Sequence, residues 1–287
     1  MSVMCRALLV AIAFGAVGCD RVFGLDAPDA GPASCPYTQL AADGDDDHDG
    51  ALNGVDGCPL VADHELHDED GDGIADACDP CPIYTAAGAD LDCDAIGAAC
   101  DPDDTIGHVQ EFYGLGSTRG LMLYGDATLA NDEFHFRQTA DGYGRVRVTT
   151  ASPATGRYEV HARVTGIDAM YWTSGFYVED ATGAQYRISV LADSGTGGLR
   201  ILDPTGTVLA ATSLGTVGTS IEYTLQLEIT DTELRARVSG FGTGTAAAML
   251  PSPLGSIEWG FTSYRDNPFS STFEVAATYL SRIAPEP

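Results

Sequence analysis

Residues 221–240 read IEYTLQLEITDTELRARVSG. Ile221, Tyr223, Leu225, Leu227 and Ile229 alternate with Glu222, Thr224, Gln226 and Glu228. After Thr230-Asp231, Leu234, Ala236 and Val238 alternate with Glu233, Arg235 and Arg237. Successive side chains of a strand point to opposite faces, so each half reads as a strand with one face buried, and the Thr-Asp step as the turn of a hairpin. The same rhythm extends outward on both sides: Tyr158, Val160, Ala162 and Val164 alternate with Glu159, His161 and Arg163. Shorter versions run through 133–137, 144–149, 175–179, 185–191, 199–202, 257–262 and 273–280. No helical period competes over a useful length. The expectation is an all-β chain from residue 105 onward, with two antiparallel sheets packed as a sandwich.

Charge divides the chain in another way. Of 287 residues, 42 are Asp or Glu and 14 are Lys or Arg, a formal net charge of −28. Residues 20–104 carry 23 of the acids against one base, Arg21. Such a surface repels phosphate backbones and anionic headgroups, so nucleic-acid partners are excluded. The acids are also periodic. DDDHDGALNGVD (45–56), DEDGDGIADACD (68–79) and DLDCDAIGAACD (90–101) repeat a twelve-residue unit. Positions 1, 3 and 5 are Asp45, Asp47 and Asp49, then Asp68, Asp70 and Asp72, then Asp90, Asp92 and Asp94. Calcium takes six to eight hard oxygens, and alternate carboxylates on a tight loop supply them. Gly50 and Gly73 stand at position 6, where the chain must turn sharply; Asn53 and Asp76 stand at position 9, and Asp56, Asp79 and Asp101 at position 12. The third unit has Ala95 in place of the glycine and Ala98 in place of the position 9 oxygen, so an ion there must borrow oxygen from water, Asp103 or Asp104. Without a cation, neighbouring carboxylates repel by about 1 kcal/mol per pair at 4 Å in water. Ca²⁺ is therefore the expected cofactor.

Only eleven residues separate Asp56 from Asp68, too few for the helix pairs of an EF-hand. The loops alternate instead with Cys58-Pro59, Cys78-Asp79, Cys81-Pro82 and Cys100-Asp101, and in this residues 35–104 resemble thrombospondin type 3 repeats. The resemblance implies a strand-poor chain wrapped around calcium, pinned by disulfides and serving as a rigid spacer or adhesion module. Six cysteines lie in this segment, Cys35, Cys58, Cys78, Cys81, Cys93 and Cys100. In an oxidising compartment an even count reads as disulfides whose pairing sequence leaves open. Cys78-Asp-Pro-Cys81 lacks the partners of a zinc site, and His64 and His67 read as solvated residues between loops.

The first residues, MSVMCRALLVAIAFGAVGC, give Arg6, an apolar run and a small residue before Cys19. This reads as a signal peptide over residues 1–18. Ala16-Val17-Gly18-Cys19 resembles the lipobox of bacterial lipoproteins, which implies a lipid on Cys19 and, through it, the membrane as a partner. Residues 19–34 then read as a tether, and the whole as a cell-envelope lipoprotein in which the repeats hold the sandwich away from the membrane.

RYEVHARVTG (157–166), SGFYVEDATGAQYRISVL (174–191), GLRILDPTG (198–206), IEWGFTSY (257–264) and FEVAATYL (273–280), in that order, resemble the concanavalin A-like lectin/glucanase fold, which includes laminin G-like modules. That resemblance implies a jelly-roll sandwich over residues 105–287. The paired carboxylates E-x-D-x-x-E of glucanases are absent, as are G-x-S-x-G and H-E-x-x-H, so no catalytic residue is assigned and a non-enzyme is expected. Trp259, in phase with Ile257 and Phe261, reads as core. Tyr171, Trp172, Tyr264, Asp266 and Asn267 are the candidate glycan contacts, since sugars stack on aromatic rings while polar groups take their hydroxyls. The expected function is adhesion through carbohydrate or a surface protein; the alternatives are a purely structural adhesin and a glycosidase with an unfamiliar acid pair.

Overall fold

The computed structural model describes residues 40–286, apart from 49, 57, 61–66, 115–117, 119, 132, 139–142, 166–170, 194, 219 and 265–272. The leader, Cys19, Cys35, Asp49, His64, Asp266 and Asn267 lie outside the described residues, as does the side chain of Tyr171.

Among the described residues sixteen strands follow one another: β1 (His108–Tyr113), β2 (Leu121–Gly125), β3 (Ala127–Ala130), β4 (Glu133–Gln138), β5 (Tyr143–Val148), β6 (Ser152–Pro153), β7 (Gly156–Thr165) and β8 (Tyr171–Asp180) in the first half. The second half adds β9 (Gln185–Asp193), β10 (Thr196–Leu202), β11 (Val208–Thr216), β12 (Ile221–Ile229), β13 (Glu233–Gly240), β14 (Gly244–Met249), β15 (Ser256–Tyr264) and β16 (Phe273–Pro285). They form two antiparallel sheets. Sheet A runs β14-β13-β12-β7-β16-β4-β3, with β1 on the free stretch of β16; sheet B runs β11-β10-β9-β8-β15-β5-β2, with β6 on β15.

The alternation in residues 221–240 becomes the β12–β13 hairpin, closed where Thr230 N–H donates to the Glu233 carbonyl at 3.0 Å. Leu225 stands opposite Val238 and Leu227 opposite Ala236, all fully buried, while Gln226 faces Arg237 on the outer side. The sheets meet over one apolar core. Trp259 is at its centre, edge-on to Tyr158 with ring centroids 5.0 Å apart. Polar links also join the sheets, among them Ser174 of sheet B to the Tyr223 hydroxyl of sheet A at 2.5 Å.

Among the described strands, β1, β2, β3, β6, β11 and β14 fall outside the stretches read from the sequence, the last two for plain physical reasons. β14 (GTAAAM) buries Ala246 and Ala248 and exposes Thr245 and Ala247, an alternation of position without contrast of residue type. β11 is an edge strand that leaves Val208 and Leu209 exposed, so its apolar residues do not mark an inner face.

Residues 40–107 contain no helix or strand among those described, only turns and bends. Disulfides join Cys58 to Cys78 and Cys81 to Cys100, each with Cα atoms 5.5 Å apart, and Cys93 is disulfide-bonded as well. Each closed loop of about twenty residues removes roughly 3 kcal/mol of chain entropy from the unfolded state in the loop-closure model. The segment does not project as a spacer, contrary to the sequence expectation. It lies against the outer face of sheet A: Cys81, Ala87, Ile96 and Cys100 bury Ile283 of β16. Beside them, Ile83 and Tyr84 face Phe112, Glu159 and Ser281 across a cavity of about 40 Å³, too small for a sugar ring.

Candidate functional site

The three acidic loops share one backbone design. Position 6 takes a left-handed conformation in each, with φ of 100° at Gly50, 99° at Gly73 and 71° at Ala95. Position 4 does the same, at 64° for His48, 76° for Gly71 and 68° for Cys93. The residue types point to the turn at position 6 and hide that at position 4, because only Gly71 advertises it. L-residues pay for this geometry, and the loops offset the cost with carboxylate hydrogen bonds. Asp68 accepts from Gly71 N–H at 2.7 Å and Gly73 N–H at 2.9 Å; Asp90 accepts from Cys93 N–H at 2.7 Å and Ala95 N–H at 3.1 Å. Position 5 accepts from position 7 in both, Asp72 from Ile74 and Asp94 from Ile96, each at 2.8 Å. Position 12 accepts from the second residue after it in all three: Asp56 from Cys58 at 2.8 Å, Asp79 from Cys81 at 2.7 Å and Asp101 from Asp103 at 2.8 Å.

One carboxylate oxygen is used in this way at position 12; the other is buried without a donor. Oδ2 of Asp56, Asp79 and Asp101 each lack a hydrogen-bond partner, as do Asp45 Oδ1, Asp70 Oδ2 and both oxygens of Asp92. Buried anionic oxygens without donors are expensive, and a hard cation is what satisfies them. In the second loop, oxygens of Asp68, Asp70 and Asp72 lie within 4.8 Å of one another. Burial pushes Asp79 up to about 7, with the neighbouring Asp72 and Asp70 adding to the rise. The all-oxygen donor sets of the first two loops therefore fit Ca²⁺.

Position 9 does something else. Asn53 accepts from Asp46 N–H at 3.2 Å and donates to the Ala41 carbonyl and the Asp46 carboxylate, both at 2.8 Å. Asp76 likewise accepts from Glu69 N–H at 2.9 Å, and its other oxygen meets His67 Nδ1 at 2.9 Å. These side chains clamp the start of the loop, where the sequence had suggested ligands. His67 is tied to that clamp rather than solvated.

In the third loop, Asp103 takes no part in the cluster: its carboxylate accepts from the Thr105 hydroxyl at 2.6 Å. The fourth member is His108, the first residue of β1, gathered with Asp92, Asp94 and Asp101 within 4.8 Å. No motif spacing in the sequence links it to that loop.

The outer face of sheet B presents different chemistry. Alternation along β5, β8, β9 and β15 turns Tyr143, Arg145, Arg147, Tyr177, Glu179, Arg187, Glu258 and Tyr264 away from the core. Tyr264 stands opposite Tyr143 in register, and Tyr124 of β2 stands opposite Arg145. Arg187 lies over the Tyr264 ring at 5.9 Å, Arg147 over Tyr124 at 5.5 Å and Arg145 over Tyr177 at 4.1 Å. Tyr143 is 52% exposed and Tyr264 is half-buried. Glu258 and Glu179 are cross-strand partners, but Arg147 holds Glu258 at 2.8 Å and Gln185 holds Glu179 at 2.9 Å.

Of the expected glycan contacts, Tyr264 is therefore on an accessible face. Trp172 is not: it is 1% exposed within the core, because residue 172 shares the inward phase of Phe176 and Val178 on β8. Trp259 is core as expected. Tyr143 and Tyr124 carry no such signal in the sequence, since their strands are short and only the register brings Tyr143 opposite Tyr264, with Tyr124 one strand further out.

No family model and no curated protein matches the chain. Among solved structures it is similar to a Lotus tetragonolobus seed lectin, at 11% identity and a TM-score of 0.49 over 62% of this chain and 100% of that one. A Bauhinia forficata lectin in complex with GalNAc gives 11% identity and 0.48 over 62% and 99%. The carbohydrate recognition domain of Emp47p gives 12% and 0.46 over 59% and 90%.

Proposed function

We propose that this chain is a calcium-loaded recognition protein of the cell envelope, anchored through lipid on Cys19, whose sheet B outer face binds carbohydrate. The observation that carries the reading is the aromatic end of that face, Tyr143 opposite Tyr264 with Tyr124 one strand further out. Partly exposed rings offer stacking surface for the apolar side of a sugar, while Arg187, Gln185 and Glu179 offer donors and acceptors for its hydroxyls. Sheet A cannot serve in this way where the repeats cover it. Asp266 and Asn267, which lie outside the described residues, stay candidates on their sequence alone. Calcium on the acidic loops keeps the repeat segment compact against sheet A and leaves sheet B free. No helix among the described residues is long and apolar enough to cross a membrane, and the proposed attachment needs none.

The Glu179–Glu258 pair invites a second reading, glycoside hydrolysis, since a retaining enzyme holds two carboxyl groups about 5 to 5.5 Å apart. Here both are tied into pairs with Arg147 and Gln185, which suits binding better than proton transfer. A glycan array probed with residues 20–287 in millimolar calcium tests the proposal. The expected result is a hit that Tyr264→Ala and Tyr143→Ala both abolish with the β-sheet spectrum intact. A blank array, or a hit indifferent to both substitutions, overturns the assignment of this face, and release of reducing sugar favours hydrolysis.

A further inference from the structure

The third loop lacks its glycine and its position 9 oxygen, yet its carboxylates are closely enclosed. The side chains of Asp94, Asp101 and His108 are 3%, 1% and 3% exposed. Asp101 Oδ2 and both oxygens of Asp92 are buried without a hydrogen-bond donor. His108 Nδ1 is 3.0 Å from Asp101 Oδ1 and 3.7 Å from Asp94 Oδ2, but it too makes no hydrogen bond. Donor atoms that approach this closely without a hydrogen bond between them are spaced as neighbouring ligands of a common ion are. Bonds of about 2.0 to 2.2 Å in a tetrahedral shell put neighbouring ligands about 3.3 to 3.6 Å apart, close to the two separations here.

The fourth donor decides the kind of ion. Calcium takes oxygen, whereas an imidazole nitrogen suits zinc and its first-row neighbours. His108 is held in place for this role, because its own backbone N–H donates to Asp94 Oδ2 at 2.6 Å. We propose that Asp92, Asp94, Asp101 and His108 form a site for a zinc-type transition dication, distinct from the calcium of the first two loops. Three carboxylates and a neutral imidazole around a dication leave one net negative charge, against three for the carboxylates alone. Since His108 opens β1, the ion would also clasp the repeat segment to the sandwich.

Calorimetric titration of zinc into residues 20–287, with calcium in millimolar excess, tests this directly. One zinc per chain is expected, and His108→Gln and Asp92→Asn are each expected to weaken it by roughly tenfold or more while calcium binding elsewhere persists. Asp92 makes no side-chain hydrogen bond that its loss would break, so Asp92→Asn keeps the test decisive if His108→Gln unfolds the junction. Cobalt gives a second readout: intense visible d–d bands in the native protein, lost in His108→Gln. Failure of zinc to bind over calcium, or wild-type affinity in both variants, overturns the proposal. Glycan binding and calcium binding by the first two loops are separate readouts, so either proposal can fail without the other.

Discussion

Residues 40–107 and residues 108–286 share one chain and are folded by opposite chemistry. The sandwich buries Trp259, Tyr158, Phe136, Leu227 and their neighbours between two sheets and satisfies its backbone in ladders. The repeat segment has a small apolar cluster around Ile96 and Ile283, two mapped disulfides, and carboxylates that bind their own loop backbone with one oxygen and bury another without a donor. The sandwich is thus held by its apolar core and strand ladders, while the repeats carry buried carboxylate oxygens that a cation would satisfy. Each half should respond to a perturbation that the other ignores.

The largest expected effect is chelation. Removing calcium should expand residues 40–107 and open them to protease, with the β-sheet circular dichroism of the sandwich unchanged; joint loss of both would break the comparison. Next come core truncations. Leu227→Ala should cost about 2–5 kcal/mol in urea unfolding of the sandwich and leave calcium affinity as it was. The third effect is pH. Asp79 is raised to about 7 in the folded, metal-free loop, so the fold binds a proton that the unfolded chain releases near its ordinary value of 3.8. Stability of the chelated protein should therefore fall as pH rises from about 4 through 7, whereas calcium, competing with that proton, should stabilise more at the upper end. Thermal melts at pH 5 and 8 with and without calcium check both signs. A smaller effect is expected at Ala95, held at a φ of 71°: Ala95→Gly should stabilise the third loop by roughly 1 kcal/mol, seen as slower amide exchange in residues 90–101.

The same contrast governs what can be read from the sequence. The β12–β13 hairpin is legible because Leu227 and Gln226 differ in the property that burial selects. β14 is not, because Ala246 and Ala247 do not differ at all. Trp172 suggests a surface platform by its chemistry, although its phase with Phe176 along β8 sends it inward. The loops are legible in their acids, since Asp at alternate positions gathers carboxylates that repel one another unless a cation joins them. The left-handed turns at His48 and Cys93, by contrast, leave no residue-type signature. His108 stays hidden for a third reason. It joins Asp92, Asp94 and Asp101 only through the docking of the repeats on β1, a relation between two segments that neither one's local pattern contains.

The central claim is that the acidic segment is folded by bound metal. Calcium titration calorimetry on residues 20–287, repeated on Asp45→Ala and Asp68→Ala, tests it most directly. The account predicts saturable calcium binding to the native chain, with one calcium lost in each variant. Absence of a binding isotherm, or binding that neither substitution changes, would contradict it.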